Sequence, residues 1–142
     1  MDALIYTILT NVEDMLAHYG IVTQMPYSFD SATYAAYLEE MIPMGYRQMI
    51  VQEQGECIAL AGYWINTKLY CGRYAELDNV IVTANHRDRG VGRLLCQQIE
   101  AEAIRQGCKT VLLDAYVENS KAHRFYFREG YIIRGYHFLK KL

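Results

Sequence analysis

The sequence predicts one α/β (α+β) domain, built on a mixed, mostly antiparallel sheet of six to seven strands with about four flanking helices. Segments rich in β-branched and aromatic residues alternate with segments of helical periodicity. Three consecutive strand-like segments are separated by short turns, which is typical of an antiparallel meander. The chain has 142 residues, the size of one ordinary domain, so we expect a single domain over residues 1–142.

The N-terminal part of the chain predicts a strand, two helices and a loop between the helices. The strand is indicated by β-branched and aromatic residues, and each helix is preceded by a polar residue that can cap its first turn. These elements cover residues 3–9 for the strand, 11–19 and 31–42 for the helices, and 23–30 for the loop.

The remainder of the chain predicts five strands and two helices. The longer helix carries one apolar stripe that includes Leu95 and Ile99, and Gly107 follows its end. It connects two strands as a crossover, so that pair should be parallel. The predicted strands cover residues 46–53, 57–69, 73–83, 109–117 and 131–139, and the helices cover 90–106 and 120–129.

Composition excludes several classes of protein. Fourteen Lys and Arg balance sixteen Asp and Glu, for a formal charge of −2, which argues against a dedicated nucleic-acid binder. No apolar run approaches the roughly 20 residues of a membrane span, and we expect no signal peptide, because the first residues lack a basic segment and carry only a short apolar stretch. The four cysteines lack metal-ligand spacing, so we expect reduced thiols, no metal site and a cytoplasmic location.

A glycine- and arginine-rich turn lies between a predicted strand and the strongest helix. Glycines at 90 and 92 allow the backbone to approach a ligand closely. The helix that follows presents unpaired N–H groups and the positive end of its dipole, an arrangement that binds anions. A diphosphate is the natural ligand, although a tight turn with solvated arginines is the alternative. We call this segment the Gly–Arg turn: Arg87, Asp88, Arg89, Gly90, Val91, Gly92 and Arg93.

The Gly–Arg turn is neither a dinucleotide fingerprint nor a P-loop, because Leu95 stands where the third glycine would be and no Gly-Lys-Ser/Thr follows. Residues 87–92 instead resemble the Arg/Gln-x-x-Gly-x-Gly/Ala signature of the GNAT N-acetyltransferases. Residues 119–131 are similar to that family's Asn-x-x-Ala-x-x-Phe-Tyr…Gly-Phe/Tyr segment, and residues 77–82 look like its fourth strand. Together these matches cover residues 76–131.

The resemblance implies acetyl-CoA as co-substrate. Its pyrophosphate should lie on the N–H groups of residues 89–93. Its pantetheine arm should run between the strand ending near Val82 and strand 109–117, which splay apart in this family, and should pair with the backbone of Ile81 and Val82. Asn119 either contacts the pantetheine or caps the helix that follows it.

The chemistry of acyl transfer requires a proton acceptor for the amine and a proton donor for the leaving thiolate. Tyr126 matches the general-acid tyrosine of the family; the alternative is a half-buried aromatic on an amphipathic helix. Glu76 and Asp78 lie on the same side of their strand and are candidates for the base. Their alternatives are solvated carboxylates at a sheet edge, with a chain of waters accepting the proton instead.

The acceptor is the least specified part of the prediction. Aromatic residues are candidates to line its cleft, although core packing explains such residues as well. They are Tyr27, Phe29, Tyr63, Trp64 and Tyr116.

The resulting hypothesis is an N-acetyltransferase that transfers an acetyl group to a primary amine in a ternary complex, without nucleic-acid or membrane partners. Exposed tyrosines and strand 131–139 are compatible with a homodimer. The alternatives are a non-catalytic acyl-CoA-binding or regulatory module of the same fold, and a protein-interaction domain.

Overall fold

The structure is a computed structural model that describes residues 3–142. The chain forms two compact units, the first ending at Leu112 and the second comprising Leu113–Leu142. The first unit holds nearly all of the sheet and four of the helices, and the second holds the last helix. That the whole chain acts as one domain stays a prediction.

One sheet of five strands organises the fold, and the strands stand in it in chain order. The first four strands pair antiparallel, the second to fourth of them forming the predicted three-stranded meander, and the sheet contains one parallel pair. The hairpin between the second and third strands turns at Gln54 and Gly55, both with positive φ, as a two-residue turn of this kind requires. The strands are β1 (Leu4–Leu9), β2 (Tyr46–Glu53), β3 (Glu56–Lys68), β4 (Gly72–Val82) and β5 (Thr110–Leu113).

Five α-helices accompany the sheet, and none within residues 3–142 is long and apolar enough to cross a membrane. The prediction of one helix over 11–19 was wrong in detail. The chain bends after the first helix, and a second short helix then carries Ile21 and Val22 into the core, where they are 8% and 3% exposed. The helices are α1 (Val12–Leu16), α2 (Tyr19–Val22), α3 (Ser31–Met41), α4 (Val91–Arg105) and α5 (Ser120–Arg128).

The sheet of the first unit is covered on both sides. Residues of α1, α2 and α3 pack with Leu60 and Ile81 in one core cluster, and Trp64 lies against it. Tyr63 points to the opposite side because successive strand residues alternate, and there it faces Glu102 of α4. Burial, with a smaller effect of Glu102, raises the pKa of Tyr63 to about 12. Tyr63 is therefore a core residue, and its predicted place in an acceptor cleft was wrong.

The second unit differs from its prediction at two places. The strand predicted over 109–117 is shorter than expected, since it ends at Leu113. The chain then forms a turn in which the Asn119 N–H donates to the carbonyl of Tyr116 at 3.0 Å. The strand predicted over 131–139 was wrong: in the described part of the chain this segment has no regular secondary structure. Its apolar side chains are exposed, with Phe138 at 92%. A strand needs a partner in a ladder, which local sequence does not supply.

Candidate active site

The Gly–Arg turn leads into α4 without a side-chain cap. Asn11, Asp30 and Asn119 each accept a hydrogen bond from an amide in the first turn of their own helices. The N-cap of α4 is Gly90, which has no side chain to offer such a bond. Within residues 3–142, no side chain therefore caps the amides of Val91 and Gly92 at the start of the 15-residue α4, where the helix dipole also favours an anion.

The two glycines of the turn differ in whether the fold requires them. Gly90 has φ +78, a left-handed conformation in which a side chain is strained. Gly92 is helical, and a Cβ added there would meet Val82 Cγ2 at 3.5 Å, an ordinary van der Waals contact. The fold therefore requires glycine at 90 but tolerates a side chain at 92. If glycine is required at position 92, the reason would be a ligand that lies close to the backbone there.

The three arginines of the turn are placed differently. Arg87 is exposed and donates from Nε to the carbonyl of Val82 at 3.1 Å. Arg89 makes two bonds to the carboxylate of Glu53, at 3.0 and 3.2 Å. The hydrogen bond from Arg89 holds the pKa of Glu53 below its ordinary value. Arg93 is exposed on the first turn of α4.

A bulge interrupts β4 close to the Gly–Arg turn. Leu60 of β3 pairs with Ile81, but Gly62 pairs with Asp78, so one residue of β3 stands opposite two of β4. The two residues that share one partner position are Asn79, which has a left-handed φ of 54, and Val80. The bulge takes the backbone groups of both residues out of the regular ladder with β3.

A cavity of about 260 Å³ lies between the bulge and the loop that follows α2. Backbone and side chains from three places in the first unit contribute to its wall: the loop, the end of β4 and the start of the Gly–Arg turn. The lining residues are Gln24, Met25, Pro26, Asn79, Val80, Ile81, Val82 and Arg87.

Two predicted cofactor contacts involve residues whose side chains are buried. Ile81 is 8% exposed and packs in the core, and Val91 is 3% exposed. A ligand could contact these two residues only through their backbone, the kind of contact that the sequence analysis predicts for both.

Acidic and aromatic side chains share the side of the sheet that faces α1, α2 and α3. Trp64 donates from Nε1 to Asp78 Oδ2 at 3.3 Å, and its ring lies 5.0 Å from that of Tyr46. Glu76 pairs with Trp64 across the ladder, so both carboxylates are on this side. Burial raises the pKa of Tyr46 well above its ordinary value, so this phenol remains neutral.

The loop 23–30 contributes one exposed aromatic and one packed aromatic. Phe29 stacks on Tyr34 at 5.5 Å, and its carbonyl accepts a bond from Tyr19 at 2.5 Å, so this ring is largely part of the core. Tyr27 is 45% exposed and donates its hydroxyl to Asn79 Oδ1 at 2.5 Å. Of the two predicted acceptor residues in the loop, Tyr27 is thus the one that lies at the bulge.

The second unit carries three further predicted site residues. Asn119 caps α5 by accepting from the amide of Ala122 at 3.1 Å, the second of the two roles considered for it. Tyr126 is half-buried on α5, in edge contact with the rings of Phe125 and Tyr131 at 5.2 and 5.6 Å. Tyr116 is 63% exposed.

Two residues at the site were not singled out in the sequence. Asn79 could have been suspected, because asparagine is among the few non-glycine residues that tolerate a left-handed conformation. No sequence pattern indicates a role for Glu53, because its partner Arg89 is 36 residues away in the chain. Within residues 3–142, no group of three or more His, Cys, Asp or Glu side chains could hold a metal ion.

A family model described as Acetyltransferase (GNAT) family matches residues 12–131. The uncharacterized N-acetyltransferase YhdJ of Bacillus subtilis is 27% identical over 134 residues, which cover 93% of this chain and 94% of that protein. The aminoalkylphosphonate N-acetyltransferase of Salmonella typhimurium is 28% identical over 89 residues, or 62% of this chain and 58% of that protein.

Solved structures of the same fold cover nearly the whole chain. The aminoglycoside N-acetyltransferase AAC(6')-Iy, in complex with the bisubstrate analog CoA-S-monomethyl-acetylneamine, has a TM-score of 0.82 at 19% identity, over 99% of this chain and 100% of that chain. An acetyltransferase of Trypanosoma brucei has a TM-score of 0.79 at 19% identity, with the same coverage of each chain. At this level of identity, the two likenesses establish the fold.

Proposed function

The chain belongs to the acetyltransferase (GNAT) family, and from this premise we propose that it transfers an acetyl group from acetyl-CoA to a primary amine by direct attack in a ternary complex. The observation that carries the proposal is the start of α4, where a glycine N-cap leaves the amides of Val91 and Gly92 without a side-chain cap and arginines flank them in the sequence. A diphosphate suits this site in charge and in its need for close backbone approach.

The bulge in β4 supplies the second part of the proposal. Asn79 and Val80, whose backbone groups leave the regular ladder with β3, are among the residues that line the cavity. An amide N–H in this position can donate to the thioester carbonyl and stabilise the negative charge that develops on its oxygen. The backbone of Ile81 and Val82 continues the same cavity wall and suits pairing with the amides of the pantetheine arm.

The acceptor proposed here is a cationic amine. Glu76 and Asp78 present two carboxylates beside Trp64, and an aromatic ring next to an anion favours a positively charged group. The named relatives are consistent with this class, because aminoglycosides and aminoalkylphosphonates both carry amino groups. Tyr27 and Tyr116 are exposed aromatics that would complete the acceptor contacts, with Phe29 supporting them from the core.

Proton transfers complete the proposed mechanism. The ammonium form of the acceptor first gives a proton to Glu76 or Asp78, or to water held by them, which frees the nitrogen lone pair. The nitrogen then bonds to the acetyl carbonyl carbon while the carbon–sulfur bond breaks, and the second proton that the nitrogen loses as the amide forms passes to solvent water. Tyr126 donates a proton to the departing CoA thiolate, and the phenolate recovers its proton from solvent.

Release of free thiol tests the proposal. The protein is incubated with acetyl-CoA and a panel of primary amines that includes polyamines, aminoglycosides and aminoalkylphosphonates. We expect amine-dependent thiol release with at least one cationic amine, and mass spectrometry should find the amine heavier by one acetyl group. Binding of acetyl-CoA without thiol release for any amine would instead favour the non-catalytic acyl-CoA-binding module.

A further inference from the structure

Loop 23–30 is anchored to the core near its C-terminal end, and its Tyr27 contacts the bulge in β4. The C-terminal end is held by the hydrogen bond between Tyr19 and the carbonyl of Phe29, and by the stacking of Phe29 on Tyr34. From this base the hydroxyl of Tyr27 donates to Asn79 Oδ1 at 2.5 Å, across 52 positions of sequence. This hydrogen bond therefore links the loop, whose residues 24–26 line the cavity, to Asn79 of the bulge, which lines it as well.

Asn79 is the residue on which the shape of the bulge depends. Its φ of 54 lies in the left-handed region. This conformation costs a non-glycine residue free energy, so contacts with the surroundings must hold it there. The peptide groups on either side of Asn79 change direction when this angle changes, and one of them carries the amide N–H of Val80. A hydrogen bond that fixes the Asn79 side chain therefore also restrains the direction of the backbone donors beside it.

We propose that the hydrogen bond between Tyr27 and Asn79 is a positioning contact for acyl transfer: it closes loop 23–30 over the cavity and holds the bulge amides in the orientation that polarises the thioester carbonyl. The inference rests on the proposed function and adds Asn79 to its machinery as a positioning residue. Since the hydrogen bond involves neither the amides at the start of α4 nor the arginines of the Gly–Arg turn, we expect its loss to act on turnover and to leave the affinity for acetyl-CoA nearly unchanged.

A double-mutant cycle tests the contact. Tyr27→Phe removes the hydroxyl and keeps the ring, whereas Asn79→Gly removes the acceptor and keeps a residue that adopts positive φ freely. Each single variant should lower kcat about three- to tenfold, the range expected for one exposed hydrogen bond. The double variant should be no slower than the slower single variant, because both changes remove the same interaction. The KM for acetyl-CoA should stay within about twofold of the wild-type value.

Tyr37→Phe is the matched control, because Tyr37 is also an exposed tyrosine whose ring contacts Phe29. Its kcat should equal that of the wild type. The assay uses the amine of the panel that gives the fastest thiol release. If the wild type is active but the two single effects on kcat simply multiply in the double variant, or if kcat does not change, the positioning role is overturned while the proposed function stands. If the wild type releases no thiol with any amine, both fail together.

Asn79→Ala provides a second readout that involves the backbone. Alanine lacks the acceptor and is also strained at positive φ, so this variant should be slower than Asn79→Gly. Equal kcat values for the two variants would contradict the part of the proposal that assigns the left-handed conformation of Asn79 to the orientation of the bulge.

Discussion

Arg89 and Glu53 form a bidentate ion pair that links the Gly–Arg turn to the end of β2, with guanidinium-to-carboxylate distances of 3.0 and 3.2 Å. His86 Nε2 lies 3.6 Å from the same carboxylate, and His86 Nδ1 is 2.8 Å from Thr83 Oγ1. The side chain of Glu53 is only 12% exposed. Because its charge is matched by a carboxylate, we expect Arg89 to hold the shape of the turn more than to add net charge to it.

The ion pair predicts a pH-dependent contribution to stability. The hydrogen bond from Arg89 lowers the pKa of Glu53 below its ordinary value of 4.5. The ionised carboxylate therefore stabilises the folded state above pH 4.5, and this contribution is lost as the pH falls through the lower, folded-state pKa. Thermal unfolding should give a lower Tm for Glu53→Gln than for the wild type at pH 7, and the difference should shrink steadily below pH 4.5.

The control for this prediction is Glu40→Gln, which changes an exposed carboxylate on α3. Its Tm should differ little from that of the wild type throughout the titration. A Tm difference between wild type and Glu53→Gln that stays constant from neutral to acid pH would contradict the role of the ionised pair.

Gly92→Ala tests whether glycine at position 92 is required for ligand binding or for folding. The added Cβ meets only an ordinary contact with Val82, and alanine favours a helix, so the Tm should be unchanged or higher. The same Cβ stands where a bound diphosphate would approach the backbone, so the Kd for acetyl-CoA should rise about ten- to hundredfold. Calorimetric titration and thermal unfolding measure the two effects. Gly20→Ala, with open space around its Cβ, should leave the Kd unchanged; equal affinities for all three proteins would refute the prediction.

Tyr126→Phe tests the general acid. Loss of a positioned proton donor should lower kcat by about a hundredfold or more, while the Kd for acetyl-CoA stays within about twofold. Steady-state kinetics with thiol detection gives the first value and calorimetry gives the second. Tyr136→Phe removes a hydroxyl from a tyrosine that is 83% exposed in the same unit and should be fully active. Unchanged turnover of Tyr126→Phe would remove this phenol from the mechanism.

Gly62→Ala should destabilise the first unit. A Cβ at this position would lie 2.3 Å from the hydroxyl of Tyr46, which is buried and accepts a hydrogen bond from Gln48 at 3.1 Å. Relief requires the phenol to leave its place in the core, so we expect a loss of about 1–3 kcal/mol in the free energy of unfolding. Urea unfolding measures it, again with Gly20→Ala as the control. An unfolding midpoint equal to that of the control would show that the core adapts at no cost.

Local sequence was sufficient for the features that depend on neighbouring residues. The hairpin at Gln54 and Gly55, the cap at Asp30 and the glycine start of α4 all follow from the preferences of a few consecutive residues. The family resemblance rested on the same kind of signal, since its motifs are contiguous segments. For this reason the order of strands and helices through residue 113 was predicted nearly in full.

Features that depend on distant partners were not predictable from the sequence alone. The bulge at Asn79 appears only when β4 is paired with β3, and the partner of Arg89 lies on another strand. Residues 131–139 have the composition of a strand, but in the described structure they join no ladder. The acidic and aromatic cluster around Trp64 likewise needed the register of two strands before its members could be placed together.

The central claim is that the amides at the start of α4 bind the diphosphate of acetyl-CoA. Isothermal titration of the wild-type protein with acetyl-CoA and with S-acetylpantetheine, which carries the same thioester but lacks the nucleotide diphosphate, tests it most directly. We predict measurable binding of acetyl-CoA and affinity at least about a hundredfold weaker for S-acetylpantetheine, since several charge-assisted hydrogen bonds are lost. Equal affinity for the two compounds, or no heat from acetyl-CoA, would contradict the claim.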